Sequence, residues 1–285
     1  MTAKHGSPNK VLVTGSEGFI GKHLTNVLGK KAIGWDIKNN QDIFAASFEE
    51  AVSKADALVH LAGKTSVEES FYDPGYYYTQ NVFGTIRAIT LAVKYGLKSF
   101  VFASSAAVYD ESSKPVSEKY RINPVSPYGA SKVAAEAFLQ VYQDNIPTTV
   151  LRLFNVFGAN QNPDYAGVVT SFIEDAKEKG LTIYGDGEQS RDFVHVNDVV
   201  AAIQAALERE GETYQVYNIG SGISTTIQRL ADTFDDVYPE KLEIKHGEGK
   251  REIYYSCANI EKATKELGYK PATNLRDDVA ELAVK

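Results

Sequence analysis

The chain of 285 residues is 43% apolar, enough to bury a large core as one big domain or two unequal ones. Its net charge of −7, without a long basic run, argues against non-specific nucleic-acid binding, and its apolar segments are too short to span a membrane. Cys257 is the only cysteine and the histidines His5, His23, His60, His195 and His246 are scattered, so neither an intramolecular disulfide nor a metal centre is expected. Met1–Asn9 is polar and lacks the apolar stretch of a signal peptide. A soluble protein of a reducing compartment, the cytoplasm, is expected.

Val11–Thr14 reads as a short apolar strand, followed at once by Gly15-Ser16-Glu17-Gly18-Phe19-Ile20-Gly21 and by helical periodicity through Leu24, Val27 and Leu28. Strand, glycine turn and helix in this order make a phosphate-binding loop. Gly15 permits the sharp turn, Gly18 lets backbone approach a pyrophosphate, and Gly21 lets helix pack close to strand. The strand Ala32–Trp35 ends in Asp36, at the distance expected of a carboxylate that holds a ribose diol. A carboxylate there repels a 2′-phosphate and no arginine follows it, so NAD is favoured over NADP. Ile37 to Asp42 is too short for a crossover helix, which puts Gln41-Asp42-Ile43 beside the adenine.

A helix over Phe48–Lys54 and a strand over Ala57–Leu61 lead to the turn Ala62-Gly63-Lys64, at the strand ends where ligands of open parallel sheets lie. A longer helix starts near Tyr77 and runs through Val93. Asn81, early in it, is placed to bind a loop backbone or the cofactor. The strand Phe100–Ala103 delivers Ser104 and Ser105 to the same edge. Ser126 and Pro127 read as the N-cap and first residue of a helix that sets Tyr128 and Lys132 one turn apart, facing one cleft. An ammonium beside a phenol favours the phenolate, a proton acceptor near neutral pH. The stripe Ala134, Ala137, Phe138 and Val141 is either core or a surface that pairs with the Asn81 helix across a two-fold dimer. Thr149–Leu153 is a further strand, ending at Phe154-Asn155.

Alternating strands and helices over these 155 residues predict an α/β fold, a doubly wound parallel, Rossmann-like sheet. From Val156 the alternation loosens, as expected of a smaller C-terminal α/β lobe that binds substrate. Helices are expected over Val168–Lys179, from Asn197-Asp198 through Leu207, and near Thr226–Tyr238, Asn259–Leu267 and Asn274–Val284, with a strand over Leu181–Tyr184. The dinucleotide-binding domain then spans 1–155 and 192–217, and the lobe 156–191 and 218–285. In the lobe, Arg191 and Arg251 are candidates for a diphosphate, since a planar guanidinium binds phosphate bidentately.

The motifs Thr14-Gly15-Ser16-Glu17-Gly18-Phe19-Ile20-Gly21, His60-Leu61-Ala62-Gly63, Asn81-Val82-Phe83-Gly84-Thr85 and Ser104-Ser105-Ala106-Ala107-Val108-Tyr109 come in a telling order. Tyr128-Gly129-Ala130-Ser131-Lys132, Arg152-Leu153-Phe154-Asn155, Gly185-Asp186-Gly187, Arg191-Asp192-Phe193-Val194-His195 and Asn218-Ile219-Gly220-Ser221-Gly222 follow. In these the chain resembles, over nearly its whole length, the extended short-chain dehydrogenase/reductase family, and within it the nucleotide-sugar epimerases and dehydratases. The resemblance implies NAD held by Gly15, Gly18, Phe19, Ile20, Gly21 and Asp36, with Asp42 and Ile43 at the adenine. Leu61, Ala62, Gly63, Lys64, Asn81, Ser104 and Phe154 line the remainder. It implies Tyr128 as catalytic base, Lys132 as the lysine that binds the nicotinamide ribose and lowers the tyrosine's pKa, and Ser105 as proton relay. Asn155, Arg191, Arg251 and Ser256 would hold a UDP-sugar with Ser105 and Tyr128, a small residue at 256 leaving room for an N-acetyl group.

One departure is informative. Where similar dehydratases carry an acidic pair and decarboxylating relatives a glutamate, this chain has Ala106-Ala107. Without an acid and base beside the sugar, elimination is not served, and 4-epimerisation of a UDP-hexose is expected. A net nucleotide-sugar oxidoreductase and a non-catalytic dinucleotide sensor are the alternatives.

Overall fold

The computed structural model describes residues 8–162, 167–209, 214–249 and 253–283. In chain order these form β1 (Val11–Thr14), α1 (Phe19–Leu28), β2 (Ala32–Trp35), α2 (Ala46–Ser53), β3 (Ala57–His60), α3 (Val67–Tyr72), α4 (Pro74–Tyr78), α5 (Gly84–Lys94), β4 (Ser99–Ser105) and α6 (Pro127–Val141). There follow β5 (Thr148–Leu153), β6 (Asn155–Phe157), α7 (Val168–Lys177), β7 (Gly180–Tyr184), β8 (Ser190–His195), α8 (Val196–Glu208) and β9 (Tyr214–Ile219). β10 (Ser224–Thr226), α9 (Ile227–Val237), β11 (Glu243–Gly247), α10 (Glu261–Leu267) and α11 (Leu275–Ala283) complete the described chain.

The expected doubly wound sheet is present: six strands in the order β2-β1-β3-β4-β5-β9, every pair parallel. Period-two alternation sends successive side chains to opposite faces. Val11 and Val13 meet α8 through Val199, Ile203 and Leu207 on one side. Leu12 meets Phe48 and Val52 of α2, Ile89 of α5 and Leu139 of α6 on the other. Because both faces are covered, the strands are continuous apolar runs. The chain passes from β1 to β2 on one flank and then to β3 on the other, which makes the crevice above β1 and β3 the topological switch point.

The lobe holds a three-stranded sheet β10-β8-β6 and the parallel pair β11-β7. Phe157, Phe172, Phe193, Phe234 and Val279 fill its own core against α7, α9 and α11. No helix among the described residues is long and apolar enough to cross a membrane.

Two elements differ from expectation for identifiable reasons. The helix expected from Tyr77 is broken into α4, a π-turn at Thr79–Phe83 and α5. One wider turn re-aims Asn81 inward, and such turns recur at functional sites. The helix expected from Asn197-Asp198 begins one residue earlier, at Val196. His195 is its N-cap, its Nδ1 accepting from the Asn197 N–H, while the Asp198 carboxylate accepts the backbone N–H groups of Ala272 and Thr273, each at 2.9 Å.

Candidate active site

The glycine loop leaves β1 through Gly15 at φ +74°, where an added Cβ would lie 2.8 Å from the Ala62 nitrogen. A Cβ at Gly21, in the first turn of α1, would run into the Gly15 carbonyl. Gly18 is the N-cap of α1, and Phe19 and Ile20 are its first two residues, both half-buried. The result is a cradle of backbone at a helix N-terminus, the geometry that accepts a pyrophosphate. Beside it the Asp36 carboxylate is buried and accepts from the Glu17 N–H at 2.8 Å and the Lys38 N–H at 2.9 Å. The Ser16 hydroxyl, also buried, has no partner. These groups fit an adenine dinucleotide. The short 36–42 loop folds back on Asp36, the Gln41 side chain accepting from the Asp36 N–H at 3.2 Å. Asp42 bonds the Phe44 N–H at 2.8 Å, and Arg87 of α5 donates to the carbonyls of Ile43 at 2.7 Å and Ala45 at 3.0 Å.

Asn81 spends its amide on protein. Its Oδ1 accepts from the Lys64 N–H at 2.8 Å, and its Nδ2 donates to the Lys64 carbonyl at 3.0 Å and the Ser131 hydroxyl at 2.9 Å. It therefore pins the turn Leu61-Ala62-Gly63-Lys64 against α6. Behind it His60 bridges Thr14 Oγ1, 2.7 Å from Nδ1, and Thr85 Oγ1, 3.1 Å from Nε2. The Thr85 hydroxyl donates to the Asn81 carbonyl at 2.6 Å, which assigns the ring proton to Nε2. Burial, with the Lys132 charge second, pulls the imidazole down to about 3.

Tyr128, Ser105 and Lys132 converge where β4 meets the first turns of α6. Ser126 caps that helix, its hydroxyl accepting from the Gly129 N–H at 3.0 Å. The Ser105 hydroxyl accepts from the Ala107 N–H at 3.1 Å, and its side chain acts on the Tyr128 phenol. Lys132 Nζ donates to the Ala103 carbonyl at 2.8 Å and lies 5.9 Å from the Tyr128 ring centre. A phenol depressed by the lysine is not what the structure holds. Burial pushes Tyr128 above its usual value, opposed by the Ser105 side chain, and the same burial pulls Lys132 down to about 8. The physical reason is desolvation of both partners in one dry site, with the ammonium committed to a carbonyl.

Sequence reasoning missed what lies beneath. Glu136, one turn past Lys132, receives Arg152 of β5 through Nε at 3.0 Å and Nη2 at 2.6 Å, and Ser104 Oγ at 2.5 Å. Arg152 Nη1 also donates to the Tyr109 hydroxyl at 2.9 Å, which donates to Asn218 Oδ1 of β9 at 2.6 Å. Ser104, read as lining the cofactor, is thus tied to this buried network. The spacing 128, 132, 136 was the available signal.

On the substrate side, Phe154 is buried behind Ala106 and Tyr109, and Asn155 opens β6, paired with Phe193. Ala106, Phe154 and Ser256 line one pocket with Asp110, Ser112 and Tyr255. The segment carrying Ser256 is laid along β8, the Ser256 N–H bonding the Ser190 carbonyl at 3.1 Å. Arg191 Nη1 donates to the Ser190 carbonyl at 2.8 Å and the Tyr254 carbonyl at 3.3 Å. Asp192, unremarked in the sequence, accepts from the N–H groups of Ser221 at 2.6 Å, Gly222 at 3.0 Å and Ala258 at 3.0 Å, and so joins three distant segments. Arg251 lies outside the described residues.

The sequence model of the NAD dependent epimerase/dehydratase family matches residues 11–220. A UDP-glucose 4-epimerase of Mycolicibacterium smegmatis is 32% identical, over 95% of this chain and 96% of its own. Among solved structures, MoeE5 in complex with UDP-glucose and NAD superposes with a TM-score of 0.90 at 28% identity, covering 96% of this chain and 97% of that one. A UDP-N-acetylglucosamine 4-epimerase from Methanobrevibacter ruminantium, in complex with UDP-N-acetylmuramic acid, has a TM-score of 0.90 at 29% identity and covers 98% of each chain.

Proposed function

The chain belongs to the NAD dependent epimerase/dehydratase family, and from that premise we propose that it interconverts UDP-hexoses at C4, as an NAD-dependent 4-epimerase. The observation that carries this reading is a phenol, a hydroxyl and an ammonium gathered where β4 meets α6, with alanine at 106 and 107 where elimination would need carboxylates.

Gly15, Gly18, Gly21, Phe19, Ile20 and Asp36 hold NAD on this reading, with Asp42 and Ile43 toward the adenine and Leu61, Ala62, Gly63, Lys64, Ser104 and Phe154 along the rest. When bound, NAD supplies the acceptor for the hydrogen on the sugar C4 and returns it to the opposite face. Tyr128 takes the proton of the 4-hydroxyl, with Ser105 bridging hydroxyl and phenol. Lys132, held by the Ala103 carbonyl, presents its ammonium beside the phenol and toward the cofactor ribose. Asn81 holds the 61–64 turn that faces them. The diphosphate is anchored by Arg191 and Arg251 with help from Asn155. The 4-keto sugar, weakly held, then turns about that anchor, and Tyr128 gives the proton back. Ser256 is small enough to admit an acetamido group at C2.

We place the dinucleotide domain at 1–155 and 192–217 and the sugar lobe at 156–191 and 218–285, and the protein in the cytoplasm. We also assign a homodimer through the helices bearing Asn81 and Tyr128. Phe83 on the π-turn is 51% exposed, and Val141 at the end of α6 is 75% exposed with Phe138 beside it, an apolar face that a second copy would cover. Sedimentation of the protein and of Val141→Asp tests this; a monomer at micromolar wild-type protein would overturn it.

The decisive experiment incubates the protein with UDP-glucose, UDP-galactose and their N-acetyl counterparts and reads products by NMR. Interconversion without net NADH consumption is expected. Steady NADH consumption with a keto sugar, and no C4 interconversion, would sink the assignment.

A further inference from the structure

β6 is an edge strand of the lobe sheet, three residues long and paired with β8. So short an edge needs support from outside its sheet. Part of that support comes from the dinucleotide half. His23, half-buried on α1 and one turn beyond Phe19, donates from Nε2 to the Ala159 carbonyl at 2.9 Å. A carbonyl only accepts, so this bond assigns a proton to Nε2. The same ring meets Phe19 edge-on, the ring centres 5.7 Å apart. From the other side the start of α8 closes on the loop. Gly158 has φ +149°, and a Cβ there would lie 2.7 Å from Val196 Cγ1 and 3.3 Å from His195 Nε2. Gln161 Nε2 adds a longer bond, 3.4 Å, to the Val156 carbonyl.

His23 thus touches both halves of the candidate site. Its ring packs on the first residue of α1, where the backbone cradle lies, and its N–H holds the exit of the strand that begins at Asn155. α1 is itself seated on the large sheet through Leu24, which is fully buried in that core. The bond therefore fixes the loop against the helix rather than the reverse. Resting on the epimerase reading, the two elements so joined are the seats of NAD and of the sugar nucleotide.

We infer that His23 is a positioning residue that ties the dinucleotide helix to the substrate strand and so sets the seat of the sugar nucleotide beside the cofactor. It acts through the backbone of β6 and its loop, and through Asn155, not on the reacting atoms. On that reading Asn155 serves the diphosphate anchor, which is held alike before and during the chemical step. Loss of such uniform binding raises KM and spares kcat.

The test compares the NAD-loaded wild type with His23→Leu and His23→Gln. Leucine keeps apolar bulk against Phe19 and has no donor, whereas the glutamine amide can donate to the same carbonyl. In His23→Leu the KM for UDP-glucose and the Kd for UDP, the latter by calorimetry, should both rise about fivefold. Its kcat should change by less than about twofold, and the NAD released on denaturation should match the wild type. His23→Gln should bring KM and Kd back to within about twofold of the wild type. Unchanged KM and Kd in His23→Leu, a fall in kcat at constant KM, or no recovery in His23→Gln overturns the role of His23. UDP binding that weakens in His23→Leu and returns in His23→Gln, with no sugar interconverted, upholds that role and overturns the epimerase reading alone. Failure of the wild type to bind UDP overturns both.

Discussion

Glu136 and Arg152 meet as a bidentate ion pair, 2.6 Å at the shorter contact, sealed between α6 and β5 directly below the Tyr128 and Lys132 turn. Burial pulls the guanidinium down, and the Glu136 carboxylate more than offsets it, leaving Arg152 above its usual value. Removing one partner leaves the other charge uncompensated. Glu136→Gln should cost about 3–5 kcal/mol of folding stability, a loss on the order of 10 °C in Tm, read by calorimetry. A change below about 1 kcal/mol would show that solvent reaches the pair.

The pair also bears on pH dependence. Lys132 sits at about 8, burial pulling it down and Glu136 holding it up. If the ammonium is the active form, kcat/KM falls as the pH rises through about 8, and Glu136→Gln moves that limb to lower pH. A profile flat to pH 10 would remove the requirement for a charged lysine. Tyr128→Phe should lower kcat by about 10²–10⁴-fold while retaining bound NAD; full activity would displace Tyr128 as base.

His60 links stability to acid. Its folded pKa, about 3, lies below its ordinary value of 6.5, so the unfolded chain takes up the proton first as pH falls. The stability of the neutral ring is fully present above pH 6.5 and is lost as the pH drops toward 3. Between pH 6.5 and 5 the loss is about 2 kcal/mol. Urea midpoints at pH 7 and pH 5 should show that slope in the wild type and a shallower one in His60→Asn. Equal slopes would mean that the ring is not dehydrated.

Two glycines make a paired test. Gly21→Ala drives a methyl into the Gly15 carbonyl, so the loop must move and NAD binding should be lost. Gly75→Ala, on α4 with only Asp73 Oδ1 within reach at 3.9 Å, should be neutral or stabilising by about 0.5–1 kcal/mol. NAD retained by Gly21→Ala would show that the cradle tolerates widening.

What could be read from the sequence was what local rules encode. The order strand, glycine loop, helix, then Asp36 at the next strand end located the dinucleotide cradle, because each depends on near neighbours. Tyr128 and Lys132 were legible through helical spacing. Glu136 shares that spacing, but Arg152 and Asp192 were not legible, because their partners lie far away in the chain and carry no period. Arg87 closes on backbone carbonyls of Ile43 and Ala45, which leaves no trace in residue type. The π-turn at Asn81 went unseen because a single widened turn hardly disturbs a 3.6-residue pattern.

The pairing of Ser190 with Tyr255 carries a consequence for biosynthesis. On the reading proposed above, every residue assigned to the dinucleotide lies at or before Phe154, whereas the pocket lined by Ala106 and Phe154 waits for Tyr255 and Ser256. At ordinary translation speeds that interval is roughly 5–20 s. A nascent chain thus exposes the residues assigned to the cofactor well before α8 and β9 complete the sheet beneath them, and the segment carrying Tyr255 and Ser256 emerges later still.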